Sequence, residues 1–340
     1  MCGLIEVNIH NYDKYIEFSG IFPYNSSMQN RRKFLQGLAA TAFGSALTPG
    51  MAEAAPKSAH PDLVKNATAL LKKSDVLIFA DCDHTNLGLR APLNDRPTMK
   101  KFRAADVTEL YLEFPKQFDE CARNMALGNM RRKDFVGTVL FKMNEAIKEI
   151  EGKAATDERL EQIAILADCV AENVITAKNA GINVYCVDPN NCTEQIRLVN
   201  ELDRTGDKSG LRDRVMKHDP EVAQFIKKTT QKKALVMYGN LHSVLSMPIE
   251  EKSGLPGNID DALRALGKKT SLILLTENVG DMKSYYDKLR GNPQSLPLLD
   301  FGKGVDVPDY AYDPIARKGT SLTPGTIAMM AKPMTAQLGR

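Results

Sequence analysis

Residues 76–86 read VLIFADCDHTN, an apolar run of five residues followed at once by two carboxylates and an imidazole. Short apolar runs of this kind, bounded by turn residues, are typical of strands buried on both faces of a sheet. Four more follow along the chain, at residues 108–114 (TELYLEF), 181–187 (GINVYCV), 233–238 (KALVMY) and 271–275 (SLILL). The sequence therefore predicts five strands.

Helical segments alternate with these strands. Polar and apolar spacing predicts helices over residues 57–73, 117–150, 157–180, 211–228 and 258–266. Alternation of buried strands with helices is typical of a parallel sheet covered on both faces. We therefore predict an α/β fold, a single domain with a central, mainly parallel sheet flanked by helices.

The N-terminal part of the 340-residue chain reads as a targeting segment. Residues 30–54 contain the twin arginine Arg31-Arg32, a mildly apolar run rich in Ala and Gly, and a small-x-small end at residues 52–54. This order of segments predicts a twin-arginine signal peptide over 28–54, with a short basic amphipathic helix as the alternative. We expect the twin-arginine export machinery as a partner and a periplasmic or secreted bacterial protein.

This interpretation divides the chain into three parts. Because such a signal normally starts near the initiator Met, residues 1–27 are expected to be a mis-start or an extension. Residues 55–340 would form the single domain, with its motifs between about 62 and 275 and an irregular tail from about 296 to 340.

The charge balance and hydropathy of the chain indicate which kinds of molecule it binds. The chain has 45 basic and 42 acidic residues, and no basic run is interleaved with aromatic residues, so nothing favours a nucleic acid. No stretch reaches the roughly 18 consecutive apolar residues that a membrane span needs, so no stable span is expected in the mature form. A small-molecule substrate or a metal ion is the expected partner.

Polar residues with catalytic or ligating side chains follow the predicted strands. Asp81, Asp83 and His84 come directly after the first strand, Glu113 ends the second, and His242 follows the fourth. Ligands of parallel sheets bind beyond the carboxyl ends of the strands, so these side chains are candidates for one site. The alternatives are a polar turn cap after the first strand, a structural ion pair for Glu113 and a structural histidine.

Carboxylates and imidazoles serve both metal binding and proton transfer. Carboxylate oxygens and imidazole nitrogens bind divalent cations, so a divalent metal ion is the expected cofactor. The predicted ligands are Asp81, Asp83, His84, Glu113 and His242. Glu113 and His242 are also candidate catalytic acid or base groups. Arg212 is a candidate for stabilising a developing oxyanion, with a surface charge as the alternative.

The order of these motifs resembles the erythromycin esterase/ChaN-like superfamily, which includes the Tiki and TraB/GumN proteins. The family's Gly-Glu/Asp-x-His motif falls on residues 80–83, its second-strand Glu on Glu113, and its Gly-x-x-His on residues 239–242. Ala80 stands in place of the motif's Gly, and Asp83 stands where its first His is expected. The resemblance implies an exported hydrolase of a small ester, amide or peptide substrate, assisted by a metal or by carboxylate and His groups. Its alternative implication is a non-catalytic protein that binds haem, iron or another metal.

A second family shares part of this pattern. A buried strand followed by Asp-x-Asp-x-Thr is the nucleophile motif of haloacid-dehalogenase-like phosphatases, which depend on Mg²⁺. Under that alternative Asp81 attacks phosphorus and Asp83 acts as acid or base, which leaves Glu113 and His242 unexplained.

Overall fold

The computed structural model describes residues 57–82, 86–205, 209–277, 279–291 and 304–328. The predicted signal peptide at 28–54, the segment 1–27 before it, and the candidate ligands Asp83 and His84 lie outside the described residues. Export and these two ligands therefore stay predictions.

The strands form two sheets. They are β1 (Val76–Asp81), β2 (Val107–Pro115), β3 (Asn183–Asp188), β4 (Lys233–Gly239), β5 (Leu245–Ser246), β6 (Thr270–Leu275), β7 (Gly304–Val307), β8 (Tyr310–Asp313), β9 (Lys318–Ser321) and β10 (Gly325–Ala328). The larger sheet has the order β3-β2-β4-β1-β6-β8-β9; its neighbours pair in parallel up to β8, and β9 is antiparallel. The smaller sheet has the antiparallel order β10-β7-β5. The predicted α/β fold with a mainly parallel sheet is confirmed.

Helices cover both faces of the larger sheet. They are α1 (Pro61–Lys73), α2 (Ala91–Asn94), α3 (Arg96–Ala104), α4 (Asp119–Ala126), α5 (Arg132–Glu151), α6 (Asp157–Asn179), α7 (Cys192–Thr205), α8 (Ser209–Thr229), α9 (Leu241–Val244), α10 (Ile259–Ala265) and α11 (Val279–Gly291), with short 3-10 turns at Leu87–Arg90 and Lys116–Phe118. No helix in the described ranges is both long enough and apolar enough to cross a membrane.

The central strand β1 divides the hydrophobic core into two layers. Leu77 and Phe79 pack on one face with residues of α1, α3, α5 and α6, whereas Val76, Ile78 and Ala80 pack on the other with α8, α10 and α11. Side chains alternate between the faces of a strand, so a run buried at every position must be covered on both sides. This is why VLIFA predicts the centre of the sheet.

Two local predictions differ from the structure. The segment predicted as one helix over 117–150 breaks between α4 and α5, where Gly128 adopts a φ of 80°, a left-handed conformation that ends helices. The tail predicted to be irregular contains four short strands between residues 304 and 328. Runs of four residues broken by Pro and Gly are too short to show a clear period in the sequence.

Candidate functional site

The corner that follows β4 touches both neighbouring strands. Because β4 lies between β1 and β2, its end has Asp81 on one side and Glu113 on the other. The backbone N–H of Gly239 donates to Oε2 of Glu113 at 2.7 Å, and that of Asn240 donates to the carbonyl oxygen of Asp81 at 2.9 Å. Two predicted site residues are thus held at one corner of the sheet.

Glu113 owes its position to an irregularity in β2. Leu112 pairs with Cys186 and Pro115 with Asp188, so β2 carries one more residue than β3 between these two pairs. Such a bulge re-aims a side chain and is common beside functional sites. It places the nearly buried carboxylate of Glu113 (5% exposed) against the end of β4.

Arg214 links the ends of β2 and β3 through two ion pairs. Its Nη2 donates to Oε1 of Glu113 at 2.5 Å and to Oδ2 of Asp188 at 2.9 Å. Asp188 also accepts hydrogen bonds from the side chain of Gln195 and the backbone N–H of Asn190. Burial opposes the charge of Arg214, but the two carboxylates outweigh burial and raise its pKa. The guanidinium is therefore a fixed cation between them.

His242 lies in α9, one short turn after β4, and is held between two carboxylates. Its Nδ1 is 2.8 and 2.9 Å from the two carboxylate oxygens of Asp219 on α8, and its Nε2 is 3.6 Å from Oε1 of Glu113. The ring of Tyr238 packs edge-on against the imidazole at 5.3 Å between centroids. A carboxylate on one ring nitrogen fixes the orientation of a histidine and leaves the other for chemistry.

The charges around His242 favour its protonated form. Burial lowers the pKa of His242, but Asp219 and Glu113 raise it further than burial and Arg214 lower it, so the pKa lies above its usual value. Among the described residues, the carboxylates of Glu113, Asp188 and Asp219 outnumber the permanent cations that act on them, which are Arg214 and, on Glu113, also Arg90. The proton of His242 reduces this acidic excess, and the ring is a stronger base than a free imidazole.

A second buried ion pair occupies the end of β1. Oδ2 of Asp81 accepts from Nε and Nη2 of Arg90 at 3.3 and 3.1 Å, and both residues are almost fully buried. Burial opposes the charge of Arg90, and the neighbouring carboxylate of Asp81 raises its pKa. Farther along the chain, the side chain of Asn86 donates to Glu277, which follows β6. This contact joins the segment that follows β1 to the segment that follows its neighbouring strand β6.

The structure brings the predicted site residues Glu113 and His242 together but places the predicted site residue Arg212 away from them. Glu113 and His242 lie 3.6 Å apart, whereas Arg212 is exposed and makes no ion pair among the described residues. The cation beside Glu113 is Arg214, two residues later and roughly 200° further round the helix.

Asp219 was missed although the sequence carries a signal for it. Val215, Val222, Ala223 and Ile226 form the buried face of α8, and Asp219 is spaced as a member of that apolar face. A carboxylate at a buried helical position requires a partner, which here is His242.

The described candidate metal ligands already make contacts within the protein. Oδ2 of Asp81 is bound by Arg90, both oxygens of Glu113 accept hydrogen bonds, and Nδ1 of His242 is bound to Asp219. Within the described ranges, no group of three or more His, Cys, Asp or Glu side chains is arranged to hold a metal ion. Asp83 and His84 are not among these residues, so metal and haem binding stay predictions.

Comparisons with known proteins add little to this site. No protein-family model matches the sequence, and no curated protein matches it. Two solved structures are similar in part. The type III effector HopBA1 is 14% identical with a TM-score of 0.36, over 68% of this chain and 90% of that one. ChaN of Campylobacter jejuni, which binds haem cofacially, is 12% identical with a TM-score of 0.35, over 64% of this chain and 85% of that one. Likenesses this weak carry no argument about function.

Proposed function

We propose that this protein is a hydrolase of small ester, amide or peptide substrates in which His242 activates the attacking water. The observation that carries the proposal is the Asp219–His242 pair, in which the carboxylate holds Nδ1 and Nε2 faces Glu113. A histidine oriented by a buried carboxylate is the arrangement that general acid–base catalysis needs.

The proposed reaction needs one proton to move twice. Nε2 of His242 takes a proton from water as the water oxygen bonds to the substrate's carbonyl carbon. The imidazolium then gives this proton to the leaving alcohol or amine as the carbon–oxygen or carbon–nitrogen bond breaks. Asp219 stabilises the imidazolium between these steps, and Glu113 lies close enough to Nε2 to hold the water.

The same contacts weigh against the phosphatase alternative. Oδ2 of Asp81 is bound by the guanidinium of Arg90, which does not suit a nucleophile that must attack phosphorus. That alternative also leaves the contact between Glu113 and His242 without a role. We retain export through the twin-arginine pathway as part of the proposal, since it rests on the sequence of residues 28–54.

The test is hydrolysis of 4-nitrophenyl acetate and a peptide 4-nitroanilide by wild type and His242→Gln. We expect kcat/KM to fall by about 10²–10⁴-fold, the usual contribution of a general base. The matched control is His60→Gln, because His60 is also a buried histidine, bonded to the hydroxyl of Tyr312. The control should keep its activity.

A pH profile tests the role of Asp219. Water activation requires neutral His242, so kcat/KM should rise with pH around a midpoint above the usual histidine value. Asp219→Asn removes the charge that holds the imidazolium, so this midpoint should move to lower pH while the maximal rate falls. Activity of folded His242→Gln equal to that of wild type would refute the proposal.

A further inference from the structure

Asn240 is fixed in the corner between Asp81 and His242. Its backbone N–H donates to the carbonyl oxygen of Asp81, and its own carbonyl accepts from the N–H groups of Ser243 and Val244 at 3.1 and 2.8 Å. The residue is 6% exposed. Its main chain therefore cannot move without disturbing either β1 or the helical turn that carries His242.

The side-chain amide of Asn240 is an unused hydrogen-bond donor. Its Nδ2 is buried and has no hydrogen-bond partner among the described residues. The polar side chains of the nearby residues Glu113, Arg214 and His242, by contrast, all make the hydrogen bonds given above. Leaving such a donor unpaired disfavours the folded state, so its presence calls for an explanation.

We propose that Nδ2 of Asn240 donates a hydrogen bond to the carbonyl oxygen of the substrate that His242 hydrolyses. The inference rests on the proposed function and names the substrate group that this corner recognises. As water adds to the carbonyl carbon, the carbonyl oxygen becomes an oxyanion, and a donor that is already fixed binds it more strongly than the starting carbonyl. No additional proton transfer is needed for this role.

The charge of the site limits the net charge that the substrate can carry. With His242 neutral, the described part of the site holds the four carboxylates of Asp81, Glu113, Asp188 and Asp219 against the two guanidinium groups of Arg90 and Arg214. A negatively charged substrate would be repelled, whereas a neutral or cationic one would not. A single neutral amide donor also suits an uncharged carbonyl group better than a phosphate. The substrate is therefore a neutral or cationic carbonyl compound.

The test is Asn240→Ala, measured by activity on 4-nitrophenyl acetate and by thermal unfolding. We expect kcat to fall by about 10²–10³-fold with little change in KM, as for the loss of one oxyanion donor. The Tm should stay level or rise, because the variant removes a buried unpaired amide. Asn240→Ser, which keeps a donor, should recover part of the lost kcat.

Asn258→Ala is the matched control. Asn258 is also a buried asparagine at a helix start, but its side chain accepts from the N–H of Asp261 and caps α10. Its replacement should lower the Tm and leave kcat unchanged.

The inference would be overturned by wild-type kcat in folded Asn240→Ala, by a lower Tm of this variant without loss of kcat, or by no recovery of kcat in Asn240→Ser. A faster reaction with an acetate ester of 4-hydroxybenzenesulfonate than with the matching trimethylammonium ester would also overturn it. If Asn240→Ala is active while His242→Gln is inactive, only this inference fails. If His242→Gln is active, the proposed function fails first.

Discussion

Replacing Arg214 by methionine should destabilise the protein strongly, because this one guanidinium serves two buried carboxylates. The side chains of Glu113 and Asp188 are 5% and 2% exposed, and that of Arg214 is 17% exposed. Arg214→Met keeps most of the packing of the long side chain and removes the charge. Both carboxylates would then be buried without their cation.

The expected magnitude follows from the cost of leaving a buried charge unpaired. Breaking a buried pair by removing one partner typically costs about 3–5 kcal/mol. The slight exposure of Arg214 favours the lower end, about 3 kcal/mol, which corresponds to a Tm lower by about 4–5 °C at an unfolding entropy of about 2.1 cal/mol/K per residue. Lys217→Met is the control, since Lys217 lies on the same helix and pairs with Asp213 at the exposed surface. Its loss should cost at most about 0.5 kcal/mol.

The free energy of unfolding lost in Arg214→Met should also depend on pH and should be larger at higher pH. Without the guanidinium, the folded variant would bury unpaired negative charge, which is more costly than burying a protonated, neutral carboxyl group. Protonation then stabilises the folded variant, and this stabilisation is lost as the pH rises. Urea unfolding at pH 5 and pH 8 should therefore show a larger gap between wild type and Arg214→Met at pH 8. A loss under 1 kcal/mol that is equal at both pH values would refute the reasoning.

Two further predictions concern residues away from His242. Burial raises the pKa of Asp260 to about 7, so its protonation stabilises the fold at low pH and this stabilisation is lost as the pH rises through about 7. Urea unfolding between pH 5 and 8 should show a smaller loss of stability in Asp260→Asn than in wild type, and equal slopes would contradict this. A Cβ on Gly257 would lie 2.5 Å from Sδ and 3.0 Å from Cα of Met216, so Gly257→Ala should cost about 1–3 kcal/mol by thermal unfolding. Gly137→Ala, in an open position of α5, is its control and should not destabilise; equal Tm values for both variants would count against the close packing.

Local pattern was sufficient to predict the central strands. VLIFA at residues 76–80 is buried at every position, and the structure places it at the middle of the sheet with β4 and β6 on either side. The other four predicted strands also form, within two residues of their expected ends. Period and composition determine such segments because both faces of the strand need apolar partners.

The short C-terminal strands could not be predicted in the same way. Residues 304–307 and 325–328 pair with each other in the smaller sheet, although they are about twenty residues apart and neither run has a clear period. Their pairing depends on neighbours that bring them together, which a window of sequence does not contain.

Local sequence predicts the α/β fold and places Asp81 and Glu113 at the ends of β1 and β2 and His242 just after β4, because apolar runs and their order along the chain are local properties. Which other groups complete the site depends on contacts between segments that are distant in the chain. Arg214 lies 101 residues after Glu113, and Asp219 lies 23 residues before His242. Helix α8 brings both to the strand ends only when its apolar face packs on the sheet. That packing turns Arg214 and not Arg212 toward Glu113, because side chains two positions apart on a helix point to nearly opposite sides.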